Sequence, residues 1–175
     1  MSQSNPTFAE LIADCQESAV HLETRDVYAV TEEDEDFVAW RAGRSYDLAD
    51  RDAWWTAFHQ TVSDAVARGV VFRRARIVSE PVTDYIRYEH ACTPQNIMAG
   101  EGVRWLPRRL ASGLLIPTND LWIFDRRLVR FALFSGEGRF LEDVIERDPD
   151  VAKRHADAFD AVWERAVPHE DYEIR

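Results

Sequence analysis

The sequence predicts an α+β fold: one globular domain, residues 1–175, in which a mainly antiparallel sheet is covered by helices. Three observations predict it. Apolar residues at helical spacing, Trp54, Trp55, Phe58, Val62, Ala65 and Val66, stop at Gly69 and give way at once to the β-branched run Val70 to Val78. Farther along, Leu121 to Asp125 and Leu128 to Phe134 read as two strands joined by a tight Asp125-Arg126 turn. The length of 175 residues, 46% of them apolar, suffices for one complete core and falls short of two.

Each element has a local reason. A first helix starts near Pro6 and places Phe8, Leu11, Ile12 and Cys15 on one face. His21 to Val30 alternates as a strand, with Leu22, Thr24, Val27 and Tyr28 set among charges. The acid run Glu32 to Asp36 suits a helix N-terminus ahead of Phe37, Val38 and Trp40, and Gly43 ends that helix. Asp50 is the expected N-cap of a long helix from Arg51 to Arg68, which Gly69 closes. In the strand from Val70 to Val78, Arg73 or Arg74 and Arg76 form the polar face. Pro81 suits the first turn of a helix capped by Ser79 or Glu80 and running to about Cys92; Thr93-Pro94 breaks it or starts a further turn ending at Gly100. Gly136-Glu137-Gly138 reads as a hairpin turn, and Asp148-Pro149 begins a last helix with Val151, Ala152, His155, Phe159, Val162 and Trp163. No internal repeat or low-complexity linker interrupts the chain.

Charge narrows the function classes. A net charge of −11 opposes general nucleic-acid binding, because each phosphate contact needs a cation to release counterions. Its distribution is uneven. Met1 to Asp50 holds twelve acids against three arginines, whereas Arg68 to Leu110 holds eight arginines against four acids, so a dipolar molecule is expected. No apolar run approaches the roughly 18 to 20 residues of a membrane span, and the first residues have neither a basic nor an apolar leader region. The expectation is a cytoplasmic protein with Cys15 and Cys92 as reduced packing residues.

Motifs for several chemistries are missing from the sequence. His21, His59, His90, His155 and His169 are scattered, and Cys15 and Cys92 have no neighbour at zinc-ligand spacing, so no metal site is expected. No glycine pattern cradles a phosphate, and no cofactor is expected. Ser112-Gly113 and Ser135-Gly136 lie outside any nucleophile elbow. The His-x-Lys signature of a phospholipase D site is absent, since the residues two places after each histidine are Glu23, Thr61, Cys92, Asp157 and Asp171.

The densest polar and aromatic stretch runs from Arg73 to Arg109, and it supplies the candidate binding surface: Arg73, Arg76, Asp84, Arg87, Tyr88, Arg104, Trp105, Arg108 and Arg109. On a helix from Pro81, Asp84 can pair with Arg87 and aim its guanidinium at a ligand. Arg104-Trp105-Leu106-Pro107-Arg108-Arg109 combines the residue types that anchor protein interfaces; its plainer reading has Trp105 and Leu106 plugging the core beneath outward arginines. Three functions fit. The first is a noncatalytic interaction protein. The second is an enzyme for a phosphorylated or nucleotide-like substrate, with Arg87, Arg104 and Arg108 gripping the anion and Asp84 or His90 moving a proton. The third is an acidic mimic of DNA, in which Met1 to Asp50, and Glu32 to Asp36 above all, compete for a regulator's basic groove.

Ser79-Glu80-Pro81 with Asp84-Tyr85, Asn96-Ile97, Ala99-Gly100-Glu101, Arg104 to Arg108 and Asp120 to Asp125 resemble, over nearly the whole chain, an actinobacterial family of unknown function commonly encoded near helix-turn-helix regulators. The strand pair around Trp122-Ile123-Phe124-Asp125 and the helix after it are similar to the tail of the non-DNA-binding domain of those regulators. The resemblance implies a partner or sensor subunit for such a regulator and assigns no catalytic residue. Because the chain has no recognisable helix-turn-helix of its own, direct sequence-specific DNA reading is not expected.

Overall fold

The computed structural model describes residues 5–29 and 35–175. Thr7 caps the first helix, α1 (Phe8–Asp14), in a reciprocal box with Glu10, and Leu11 and Ile12 face inward. Strand β1 (Ser18–Glu23) follows, then α2 (Glu35–Arg41), α3 (Ala57–Ala67), β2 (Val71–Val78), α4 (Asp84–Met98) and β3 (Gly102–Pro107). The second half contributes β4 (Asp120–Phe124), β5 (Leu128–Phe134), β6 (Phe140–Glu146), α5 (Pro149–Arg165) and the short β7 (Val167–Pro168).

Among the described residues seven strands form one sheet, ordered β6-β5-β4-β1-β2-β3-β7. The sheet is mostly antiparallel, as expected, and mixed in detail: β1 pairs with β2, and β2 with β3, in parallel, while the remaining pairs are antiparallel. The connections explain this. Parallel neighbours need a long crossover, which α2 and α3 supply before β2 and α4 supplies before β3.

Strand alternation sorts the core into two layers. Val20, Leu22, Ala75, Ile77, Leu106, Leu121, Ile123 and Val129 meet Ala152, Ala156, Phe159 and Val162 of α5. On the other face Ala19, Phe72, Phe124 and Leu128 pack against α1 and α3, and Val103 and Trp105 pack with Ile86 of α4 and with Tyr172.

Several boundaries differ from the sequence expectations. The first strand ends at Glu23, where Thr24 leaves the sheet and donates its N–H and hydroxyl to Asp120 at 2.7 and 2.8 Å. Val30, the far end of that expected strand, and Glu32 to Asp34 of the acid run lie outside the described residues. The long helix from Asp50 is divided: Arg51–Ala53 is a 3-10 turn, Trp54 is buried after it, and Thr56 rather than Asp50 caps α3. Thr83 caps α4, so Pro81 precedes the helix behind a cis bond, and the helix continues through Pro94 to Met98. Arg104 to Pro107, the first four residues of the expected interface cluster Arg104 to Arg109, belong to β3, which lies inside the sheet between β2 and β7. Asp125 and Arg126 do form the expected tight turn, with φ of 49° and 56°, the mirror-image geometry that matches strand twist.

Candidate functional site

The polar face of β2 points into the protein. Alternation puts Arg74 and Arg76 beneath α3 and α4, and both guanidiniums are buried among carboxylates. Arg76 donates to Glu23 and Glu89, and to Thr93 Oγ1 at 3.1 Å. Arg74 donates from Nε to Glu101 at 2.9 Å and reaches Glu23 at 3.3 Å, while Asn96 donates to the second oxygen of Glu101 at 2.9 Å. Tyr85 donates to Glu89 at 2.7 Å, and Tyr28 donates to Asp120.

Burial opposes ionisation of Glu23, yet Arg76 and Arg74 hold its carboxyl well below the usual carboxylate range. Burial likewise opposes the charge on Arg76, and Glu23 and Glu89 keep it protonated. Burial, reinforced by nearby carboxylates, raises the hydroxyls of Tyr28 and Tyr85 far above their ordinary values. The cavity beside this network, lined by Glu23, Arg25, Tyr28, Arg76, Tyr85, Ile86 and Glu89, measures about 10 Å³. That is room for a single water. The layer is therefore a closed set of ion pairs, and breaking one would leave an uncompensated charge at about 3–5 kcal/mol.

The nine candidate residues do not share a surface. Arg73 and Arg104 lie on the opposite face of the sheet from Arg76: Arg73 reaches Asp160 at 3.4 Å over the rings of Phe159 and Trp163, and Arg104 donates to the Trp163 carbonyl at 3.0 Å. Trp105 is wholly buried, stacked on Tyr172 at 5.5 Å, and donates from Nε1 to His169 Nδ1 at 3.1 Å. The plainer reading of Trp105 and Leu106, as core plugs, describes both. Arg108 fastens the ends of the parallel strands, donating to Thr24 O at 2.6 Å, Ser79 Oγ at 3.0 Å and Ile77 O at 3.1 Å. Arg109 sits at the surface, 3.3 Å from Glu80.

On α4, Asp84 and Arg87 are exposed and, among the described residues, form no ion pair with each other. Tyr88 packs on Phe37 and Trp40 of α2. His90 stands against Trp105 and His169, with ring centroids 5.3 and 4.4 Å apart. The anion-gripping arrangement of Arg87, Arg104 and Arg108 with Asp84 or His90 thus loses its geometry. Strand alternation turns Arg104 toward α5, Arg108 is engaged by Thr24, Asp26, Ile77 and Ser79 at the strand ends, and Arg87 faces outward. Of the acid run, Asp36 accepts from Arg44 and Tyr46 at 3.0 and 2.7 Å.

A second feature had no counterpart in the sequence expectations. Residues 113–117 lean over the outer side of α5 and leave a groove of about 570 Å³ lined by Leu114, Leu115, Ile116, Pro117, Ala158 and Ala161, among others. Leu115 is 93% exposed at its lip. The available signal was Leu114-Leu115-Ile116, an apolar run in a segment with no periodic element to bury it. The ion-pairing roles of Glu23, which is largely covered, and of the buried Glu101 were also missed, because their partners on β2 are distant in sequence.

A family model described as a domain of unknown function, DUF6879, matches residues 6–174. The chain belongs to this family. No curated protein sequence matches this DUF6879 chain. Among solved structures it is similar to TrmBL2, an archaeal chromatin protein described as showing a novel mode of DNA binding, at 17% identity and a TM-score of 0.49. The alignment covers 90% of the DUF6879 chain and 47% of TrmBL2, so the chain spans about half of that protein. It is also similar to Nuc from Salmonella typhimurium, a phospholipase D family member, at 13% identity and a TM-score of 0.50, over 91% of this chain and 86% of Nuc. At that identity the likeness to Nuc shows a shared fold alone.

Proposed function

We propose that this DUF6879 protein is a noncatalytic regulatory protein of the actinobacterial cytoplasm, a partner or sensor subunit for a helix-turn-helix transcriptional regulator. The observation that carries the reading is the engagement within the protein of the arginines of β2 and β3 and of Arg108: Arg74 and Arg76 are neutralised by Glu23, Glu89 and Glu101, Arg73 pairs with Asp160, and Arg104 and Arg108 donate to backbone carbonyls. An enzyme for an anionic substrate needs cations free to meet it. The fold is shared with a phospholipase D family member, while the residues two places after the histidines are Glu23, Thr61, Cys92, Asp157 and Asp171, none of them the lysine of that signature. A net charge of −11 opposes direct binding to DNA and so favours a protein partner. The resemblance to proteins encoded near helix-turn-helix regulators supplies the partner class.

Affinity purification of the tagged full chain from its native host tests this. A helix-turn-helix regulator should co-purify at physiological salt, and recovery of the chain alone would overturn the proposal.

A further inference from the structure

The groove beside α5 has a definite chemistry. α5 turns Ala152, Ala156, Phe159 and Val162 to the sheet, which leaves Ala158 and Ala161 on its outer side. Two small residues one turn apart make a shallow floor that admits close approach. Leu114, Leu115, Ile116 and Pro117 form the wall, and its volume of about 570 Å³ falls in the range of sites that bury a ligand or an anchoring side chain. Leu114 and Ile116 are half buried against the core, so they hold the wall in place while Leu115 stands almost wholly in solvent.

The charges around the groove are asymmetric. Arg154 lines one end. At the other, Arg165 donates to Leu110 O at 3.3 Å and lies 3.8 Å from where a Cβ at Gly113 would stand. Neither arginine forms an ion pair among the described residues. Of the acids between them on α5, Asp157 is held by Lys153 at 2.5 Å and Arg126 at 2.8 Å, Asp160 by Arg126 at 2.6 Å, and Glu164 is exposed on a different side of the helix from Ala158 and Ala161. Arg154 and Arg165 are eleven positions apart on α5, about 16 Å or three helical turns. The groove therefore offers an apolar floor one helical turn long, set between two arginines three turns apart that have no ion pair among the described residues.

We infer that this groove docks an acidic amphipathic helix of a partner protein, laid along α5 with apolar side chains against Leu115, Ala158 and Ala161 and carboxylates at Arg154 and Arg165. Helix-in-groove recognition needs such a match of an apolar stripe to a trough and of end charges to the rim. The inference rests on the reading of the chain as an interaction protein and names the surface and the chemistry that reading leaves open.

The test uses the full chain and three fluorescein-labelled helical peptides of about four turns. One carries a leucine stripe with glutamates on its other positions; the second has lysine in place of glutamate; the third keeps the glutamates with alanine in place of leucine. Anisotropy should show binding of the first only. Leu115→Asp and Arg154→Glu should each weaken it about tenfold or more with the circular dichroism spectrum unchanged, since both side chains are exposed. Equal binding of the lysine peptide, no binding of the acidic one, or indifference to Leu115→Asp would overturn the inference. Sedimentation of the chain alone covers the remaining occupant: a self-association abolished by Leu115→Asp would assign the groove to a second copy and likewise overturn it. Repeating the native-host purification with both variants separates the two proposals. A regulator recovered undiminished by either variant removes the groove and leaves the partner reading standing, whereas acidic-peptide binding without any recovered regulator removes that partner alone.

Discussion

His169 accepts a hydrogen bond that only its neutral ring can accept. Trp105 Nε1 points at its Nδ1 from 3.1 Å, and the ring of His90 lies 4.4 Å away. Burial, helped by His90 and Arg76, pushes the His169 pKa down to about 4, and burial also lowers that of His90. The ordinary value is about 6.5. Between about 6.5 and about 4 the unfolded chain takes up a proton that the folded chain refuses, so stability is level above that window and falls as pH drops through it. The melting temperature should accordingly be lower at pH 5 than at pH 7.5, and His169→Gln should make that fall shallower. His21 and His59, also depressed by burial, add slope of the same sign and keep it from vanishing. Glu23 does not interfere, because the stability from its lowered pKa is lost only below the ordinary glutamate value of about 4.3. Identical pH dependence in the parent and His169→Gln would show that the Trp105 contact tolerates a charged ring.

Helix α3 shows how a correct element can carry a wrong boundary. The apolar stripe from Trp54 to Val66 and the closing glycine, Gly69, whose φ is 96°, were both legible, but the helix starts later than the Asp50 cap expected for it. Asp50 makes no side-chain cap, whereas Thr56 accepts from the His59 N–H and His59 Nδ1 accepts the Thr56 N–H at 3.0 Å. Thr56→Ala should therefore lower stability by about 1 kcal/mol, and Asp50→Ala should stay within about 0.5 kcal/mol, both read from urea unfolding. The opposite order would restore the helix start to Asp50. The last helix was easier to read because Asp148 and Pro149 mark its start without a rival and its apolar positions keep one period. Strand β3 was hidden for a physical reason: it is buried on both faces, so Val103, Trp105 and Leu106 break the alternation that reveals a half-solvated strand. In β6 the acids Glu142, Asp143 and Glu146 obscured an edge strand, where charge is tolerated.

At the scale of the molecule, strand order could not be read from local pattern, since β1 meets β2 across about fifty residues and β4 across about a hundred. That order decides where the structure is firmest. β1 and β2 sit inside the sheet with layers on both faces, and the ion pairs of Arg74 and Arg76 join β1 and β2 to α4 and to Glu101. Opening either strand would expose those charges unpaired, so their amides should exchange only with global unfolding. α2 differs in kind. None of its residues is buried, and it rests on α4 through the rings of Phe37 and Trp40 against Tyr85 and Tyr88. Ring contacts of this sort contribute about 0.5–1.5 kcal/mol each, far less than an intact core. Hydrogen exchange followed by mass spectrometry should show peptides over 35–41 exchanging first, peptides of the edge strand β6 next, and peptides over 18–23 and 71–78 last. Raising the pH from 5 to 7.5 should slow exchange in β2, once corrected for intrinsic rates, because global stability rises with deprotonation of the histidines, and leave α2 unchanged, since it opens locally. Protection of α2 equal to that of β2 would mean that the aromatic contacts with α4 are part of the same cooperative unit as the sheet.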